Sequence, residues 1–190
     1  MQATDLSSTG RKAFANMEFD KNEKLLYEIR KHPFGLFLIY LGGTALILLM
    51  LSLAVAGAVL QGDPVGIGAG ATGSILIATG LLLAIMALVG VAIQAYIYQA
   101  AVVLVTSDKI SQMLYRTILD RTISQLSIGD VQDVSVRQQG LFPRIFDYGT
   151  LVVETSGEQN NYVFTFTPQP HQAAKAIQAA HEDNLKLYGN

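Results

Sequence analysis

From Pro33 to Leu60 the chain runs for 28 residues without a charge, and a second uncharged run extends from Ser74 to Tyr98. As a helix the first run would span roughly 42 Å, more than the ~30 Å hydrocarbon core of a bilayer. The second carries few polar side chains, Ser74, Thr79 and Gln94 among them. A helix that is apolar all round at this length has lipid, not water, as its solvent. The expectation is a transmembrane hairpin: helix 33–60, an extracytoplasmic loop 61–73, and helix 74–98. A secretory signal fits badly, because the first run lies behind a long charged segment and a second apolar run follows it.

Charge sets the expected orientation. Arg11, Lys12, Lys21, Lys24, Arg30 and Lys31 precede the first run, and Lys109, Arg116 and Arg121 follow the second. The segment Gln61–Gly73 has no Lys or Arg, and its only charge is Asp63. The positive-inside rule then puts both termini in the cytoplasm and a two-pass protein in the cell (inner or plasma) membrane. Arg30-Lys31-His32 and Tyr96/Tyr98 would mark the cytoplasmic interface. Ala54 and Ala58, and Gly80 and Ala84, stand four apart, a spacing that lets helix backbones approach. Neither run has an ionisable residue other than tyrosine, which argues against a pump or an ion-coupled transporter. The run Gly66–Gly73 is glycine-rich, but it lacks the strand before and the amphipathic helix after that a dinucleotide site needs.

The 190 residues leave room for one small domain beside the hairpin. A net charge of −2 gives no nucleic-acid signal, and the absence of cysteine excludes disulfides, thiolate metal sites and cysteine nucleophiles. Residues 1–21 read as a flexible cytoplasmic tail in which Phe14, Met17 and Phe19 do not dock. Residues 22–32 read as a juxtamembrane segment, with Leu25, Leu26 and Ile29 at helical spacing and a short extended segment as the alternative. After Tyr98 the pattern becomes β-branched and short-period. Strands are expected over Gln99–Thr106, Ile110–Thr117, within Leu119–Ile128, over Val131–Gln138, Thr150–Thr155 and Asn161–Thr167, with a turn at 156–160. A helix is expected from His171 to about Leu187. The fold class is thus a two-helix transmembrane hairpin plus a mainly β domain at 99–187. Its five or six short antiparallel strands make a curved sheet capped by the C-terminal helix.

Several segments carry a family resemblance. They are Arg30-Lys31-His32-Pro33, Val105-Thr-Ser-Asp-Lys-Ile110, Leu126-Ser-Ile-Gly-Asp-Val-Gln-Asp-Val134, Gln139-Gly-Leu141 and Tyr148-Gly-Thr-Leu151. In order and spacing they resemble the bacterial PH-like domain family of the YdbS-like type, which sits beside paired membrane helices. Ser127 stands where a proline is frequent and Lys109 where an arginine is usual. The resemblance implies a PH-like, partly open barrel of two packed antiparallel sheets closed at one end by the C-terminal helix, and no catalytic residues.

The candidate contact residues are cations and one apolar loop. Arg30, Lys31, Lys109 and Arg116 would meet anionic lipid. Seven Lys/Arg against nine Asp/Glu from Gln99 onward make no basic patch for a polyphosphoinositide. In the loop 138–148, Leu141, Phe142, Ile145 and Phe146 alternate with Arg137 and Arg144, a mixture suited to the membrane interface or a partner. The alternative, slightly favoured, is that these side chains plug the open end of the barrel. Asp130, Asp133 and Asp147 lack metal-site spacing, and His171 and His181 lie ten apart rather than four, so neither metal nor cofactor is expected. The sequence therefore reads as a non-catalytic, membrane-anchored PH-like binding module at the cytoplasmic face. It would engage lipid head groups or an unidentified membrane or cytoplasmic protein, with a homo-oligomer as one form of that. The alternative is a small accessory subunit of a transport or export complex with the hairpin as the working part.

Overall fold

The computed structural model describes residues 6–17, 19, 23–61, 69–155 and 161–188. Most of the expected connecting loop (62–68) and the turn at 156–160 lie outside the described residues. The chain divides into two compact units, one formed by the residues up to Gly35 together with Ile97 onward, the other by Leu36–Tyr96.

The second unit is the body of two long helices, α2 (Pro33–Gln61) and α3 (Ala69–Ala100), of 29 and 32 residues. Both are long and apolar enough to cross a membrane. Leu48, Leu49, Val55, Ile75, Leu82 and Met86 are exposed around their circumference. Small residues hold the pair together. A Cβ built on Gly80 would stand 2.6 Å from the Ala54 backbone nitrogen, and one on Gly57 would stand 2.6 Å from the Gly73 carbonyl oxygen. At these points the two backbones meet directly, as small residues permit. Gln61 closes one end by donating from Nε2 to Ser74 Oγ at 2.6 Å.

The first unit is built on two antiparallel sheets. In one, β1 (Leu25–Arg30), β2 (Val102–Thr106), β3 (Lys109–Tyr115) and β4 (Arg121–Ser127) pair in sequence order. In the other, β5 (Val131–Arg137), β6 (Tyr148–Thr155) and β7 (Tyr162–Pro168) do the same. The sheets are not closed into a barrel. One-turn helix Ile128–Asp130 joins them, and α4 (Leu141–Ile145) links β5 to β6. The C-terminal α5 (Pro170–Tyr188) packs Ala173, Ala174, Ile177 and Ala180 against Ile29, Val103, Val105, Ile110, Leu151, Val153 and Phe164 between the sheets. That narrow stripe of small residues lets the helix lie close to the sheet core.

The segment 22–32 corrects the sequence reading. Its pattern is a strand, with Tyr27 and Ile29 facing the core and Leu26 exposed, not a helix. β1 pairs with β2 from Leu25↔Thr106 to Arg30↔Val102. The β domain is therefore discontinuous in sequence: the helical hairpin is inserted between its first two strands.

The expected flexible tail is also corrected, for the part that is described. Residues Ser8–Asn16 form a helix, α1, capped by Ser7, whose Oγ accepts the Gly10 N–H at 2.9 Å. Leu6, Ala13 and Met17, with Phe14 and Phe19, pack on Leu25, Val102, Leu104, Met113, Tyr115 and Ile123. This explains why all five residues of β2 are buried. Its Val103 and Val105 face the α5 side while Val102 and Leu104 lie under α1. A strand covered on both faces is continuously apolar and does not alternate.

Candidate functional site

Where the chain leaves and re-enters the β domain, its side chains form one aromatic cluster. The Phe34 ring lies 5.6 Å from Phe142, 4.8 Å from Phe146 and 5.2 Å from Tyr148, centroid to centroid. Tyr148 stacks in turn on His32 and Phe166 at 5.3 Å each, and Tyr98 meets Phe166 edge-on at 6.0 Å. Contacts of this geometry add to what burial alone gives. Six aromatic rings and one imidazole from four separate stretches of chain thus converge.

Backbone geometry holds the cluster. The Phe166 carbonyl accepts the His32 N–H at 2.6 Å, and Tyr98 donates its O–H to the His32 carbonyl at 2.6 Å. Gly35 must be glycine here, since a Cβ would fall 2.1 Å from the Tyr98 hydroxyl. Phe166 has φ +56, a left-handed conformation that costs a bulky residue free energy, and it sits where β6 and β7 slip register between Gly149 and Leu151. The slip turns the Phe166 ring towards Tyr98 and Tyr148.

His32 Nδ1 accepts the Phe34 N–H at 3.1 Å, so this nitrogen carries no proton, and the residue works as a side-chain cap for the first turn of α2. Burial lowers the His32 pKa below 6.5, against a smaller opposing pull from Asp147. Burial likewise lowers the Lys31 pKa, and its ammonium lies 5.1 Å from the centre of the Tyr98 ring.

α4 projects from this cluster. Gly140, at φ +101, supplies the turn into it, and the Gln138 carboxamide donates to the Pro143 carbonyl at 3.4 Å and the Tyr148 carbonyl at 3.1 Å. The helix has no buried residue. Leu141 is 69% exposed, Phe142 57%, Ile145 61% and Phe146 45%. These side chains therefore do not plug the sheets, which corrects the slightly favoured reading. Arg144 stands exposed among them, and Arg137 is exposed at the end of β5.

The candidate cations do not form one set. Arg30 and Lys31 adjoin the aromatic cluster in sequence. Arg116 lies at the β3–β4 turn, where its N–H bonds to the Asp120 carbonyl at 3.0 Å. Lys109 is engaged elsewhere: its ammonium pairs with the fully buried Glu23 carboxylate at 3.2 Å and lies 5.5 Å from the Phe19 ring centre. Glu23 also accepts the Thr106 hydroxyl. Lys109 therefore staples the segment before β1 to the β2–β3 turn and is not a free lipid contact. His181 Nδ1 lies 2.7 Å from the Ile128 carbonyl, a structural bond between α5 and the turn below it. Among the described residues no three His, Asp or Glu side chains are placed to share a metal ion. The sequence reading missed Phe34, Gln138, Tyr148 and Phe166 as builders of this face. Tyr162, Phe164 and Phe166 alternate as if sharing one side, and the register slip that separates Phe166 has no sequence signal.

Among known families, the model described as bacterial PH domain matches residues 34–181. No curated protein and no solved structure matches the chain.

Proposed function

Because the chain belongs to the bacterial PH domain family, a family generally without catalytic activity, we propose that it is a two-pass, membrane-anchored binding module whose β domain rests on the cytoplasmic head-group region through α4. The exposure of Leu141, Phe142 and Ile145 around Arg144, on a helix stacked against Phe34, carries this reading. Phe34 follows directly on Pro33, the first residue of an apolar helix. The covalent connection supports a place for α4 near the bilayer surface. Apolar side chains at the boundary with cations beside them are what an interfacial element requires. Arg30 and Lys31, just before the membrane helix, add to the same face.

The pairing of β1 with β2 supports two crossings. These strands precede and follow the hairpin yet share a ladder, so both ends of the hairpin lie on one side of the membrane. The Lys and Arg distribution supports the cytoplasm as that side. The module's ligand is a protein or the head groups themselves.

The chain contains no tryptophan, so Phe142→Trp provides a single reporter. In proteoliposomes its emission is expected to be blue-shifted and quenched by lipids brominated near the glycerol backbone. Leu119→Trp, at a turn where Leu119 is 98% exposed, is expected to emit as a solvated indole. Solvated, unquenched emission from position 142 overturns the proposed membrane contact.

A further inference from the structure

A groove runs beside the free edge of β7. This strand ends its sheet. Among the described residues, its one backbone hydrogen bond to the other sheet side is the Phe166 carbonyl with His32. Cavities of about 100 and 550 Å³ lie next to it, and both are lined by Gln112, Leu114 and Val163. They thus adjoin one another at the inner face of the four-stranded sheet. Arg30 and Lys31 border one end and Arg116 the other. A further cavity of about 380 Å³ shares Thr165 with the first and adds Arg137. Among the described residues no Asp or Glu lines any of the three.

Gln112 is 6% exposed and lines both halves of the groove. Among the described residues the buried side-chain polar atom left without a partner is Ser111 Oγ, so the Gln112 carboxamide is accessible from the cavity and offers two donors and an acceptor there. Val163, at the free strand, is 48% exposed, so apolar surface is left open beside the amide.

We infer that this groove binds an extended acidic segment of a partner protein, which adds as a strand to the free edge of β7. Backbone amides of an added strand supply both a donor and an acceptor for Gln112 and the main-chain partners that an open edge lacks. Alternate side chains rest on Leu114 and Val163. Carboxylates at the segment's ends meet Arg30 and Lys31 on one side and Arg116 on the other. Neither of the two cavities beside Gln112 is lined by a residue of α4, so the site stands whether or not α4 touches lipid.

The test uses the full chain in nanodiscs of neutral phosphatidylcholine and a random seven-residue peptide library displayed on phage. Enriched peptides are expected to alternate apolar and acidic residues. Synthesised with a fluorophore, they are expected to bind saturably, to lose at least tenfold in affinity against Gln112→Glu and against Arg30→Ser/Lys31→Ser, and to slow amide hydrogen exchange at 163–165. Gln112→Leu, which keeps the volume and removes the amide, separates loss of the hydrogen bonds from loss of the fold and is expected to weaken binding as well. Absence of enrichment, or peptides that bind Gln112→Glu and Gln112→Leu as well as the unaltered chain, overturns the proposal. So does slowed exchange at 163–165 produced by phosphatidylglycerol nanodiscs without peptide, which assigns the groove to lipid.

Discussion

Removing the Glu28 carboxylate is expected to free α1 from the sheet. Glu28 accepts the Ser7 N–H at 3.0 Å and also the Ser7 hydroxyl, whose oxygen caps α1 at Gly10. Gly10 packs onto the same carboxylate so closely that a Cβ there would lie 2.6 Å from Glu28 Oε1. Hydrogen bonds to a charged group contribute about 1.5–3 kcal/mol. Glu28 is only half-buried, and α1 keeps its apolar contacts through Leu6, Ala13 and Met17, so a loss of about 2 kcal/mol in docking is expected for Glu28→Ala. That corresponds to roughly a 30-fold rise in the undocked population. Arg11 and Lys12 are exposed on α1, and trypsin cuts them only where the helix opens. With protease limiting, cleavage should accelerate by that factor, while far-UV circular dichroism of the chain changes little. An acceleration below about threefold would show that the Ser7–Glu28 bonds do not hold α1, and that its apolar face alone does.

Other perturbations test other parts of the structure. Gly80→Leu should destabilise the helical hairpin, because its side chain would meet the Ala54 and Met50 backbones at 2.6 and 2.9 Å; overpacking of this kind costs about 1–3 kcal/mol. Thermal unfolding in detergent should show it, with Gly42→Leu, where nothing lies within 4 Å, as the unaffected control. The His32 pKa is lowered by burial, so the unfolded chain takes up this proton more readily than the folded one. The contribution of His32 to stability is full above about pH 6.5 and falls as the pH drops towards the folded-state pKa, where it levels off. Unfolding temperatures at pH 7.5 and 5.5 should differ by less in His32→Asn, whose side-chain oxygen can still cap Phe34. Gln138→Ala removes the carboxamide that ties Pro143 and Tyr148 together, and should speed hydrogen exchange in α4 while leaving that in β2 and β3 unchanged.

The long apolar runs and the period-two strands after Tyr98 were legible because each pattern is continuous and has a single physical cause, lipid or a half-buried sheet. The C-terminal helix followed from the same patterns, whereas the PH-like arrangement of the strands came from the family resemblance. α1 was not read because the two residues buried within the helix itself, Gly10 and Ala13, are small and give almost no hydrophobic signal. One clue was present in β2. Val102, Val103, Leu104 and Val105 are consecutive apolar residues, and a strand of that kind needs cover on both faces. β1 was misread because Leu25, Leu26 and Ile29 fit a helix while Leu25, Tyr27 and Ile29 fit a strand, and only the distant partner β2 decides between them. Lys109 looked like a lipid contact because sequence spacing does not show that Glu23 lies beside it. The aromatic face around Phe34 depends on a register slip and the left-handed Phe166, both set by tertiary contacts.

The central claim is that a two-pass hairpin is inserted into a β domain held on the cytoplasmic side. Its most direct test is site-directed thiol labelling, for which the absence of native cysteine leaves a clean background. Single cysteines at Ser8, Asp63 and Leu119 would be treated with a membrane-impermeant maleimide on intact cells and again after permeabilisation. The account predicts that position 63 labels on intact cells, whereas positions 8 and 119 label only after permeabilisation. Labelling of positions 8 and 119 from opposite sides, or of both from outside, would contradict it.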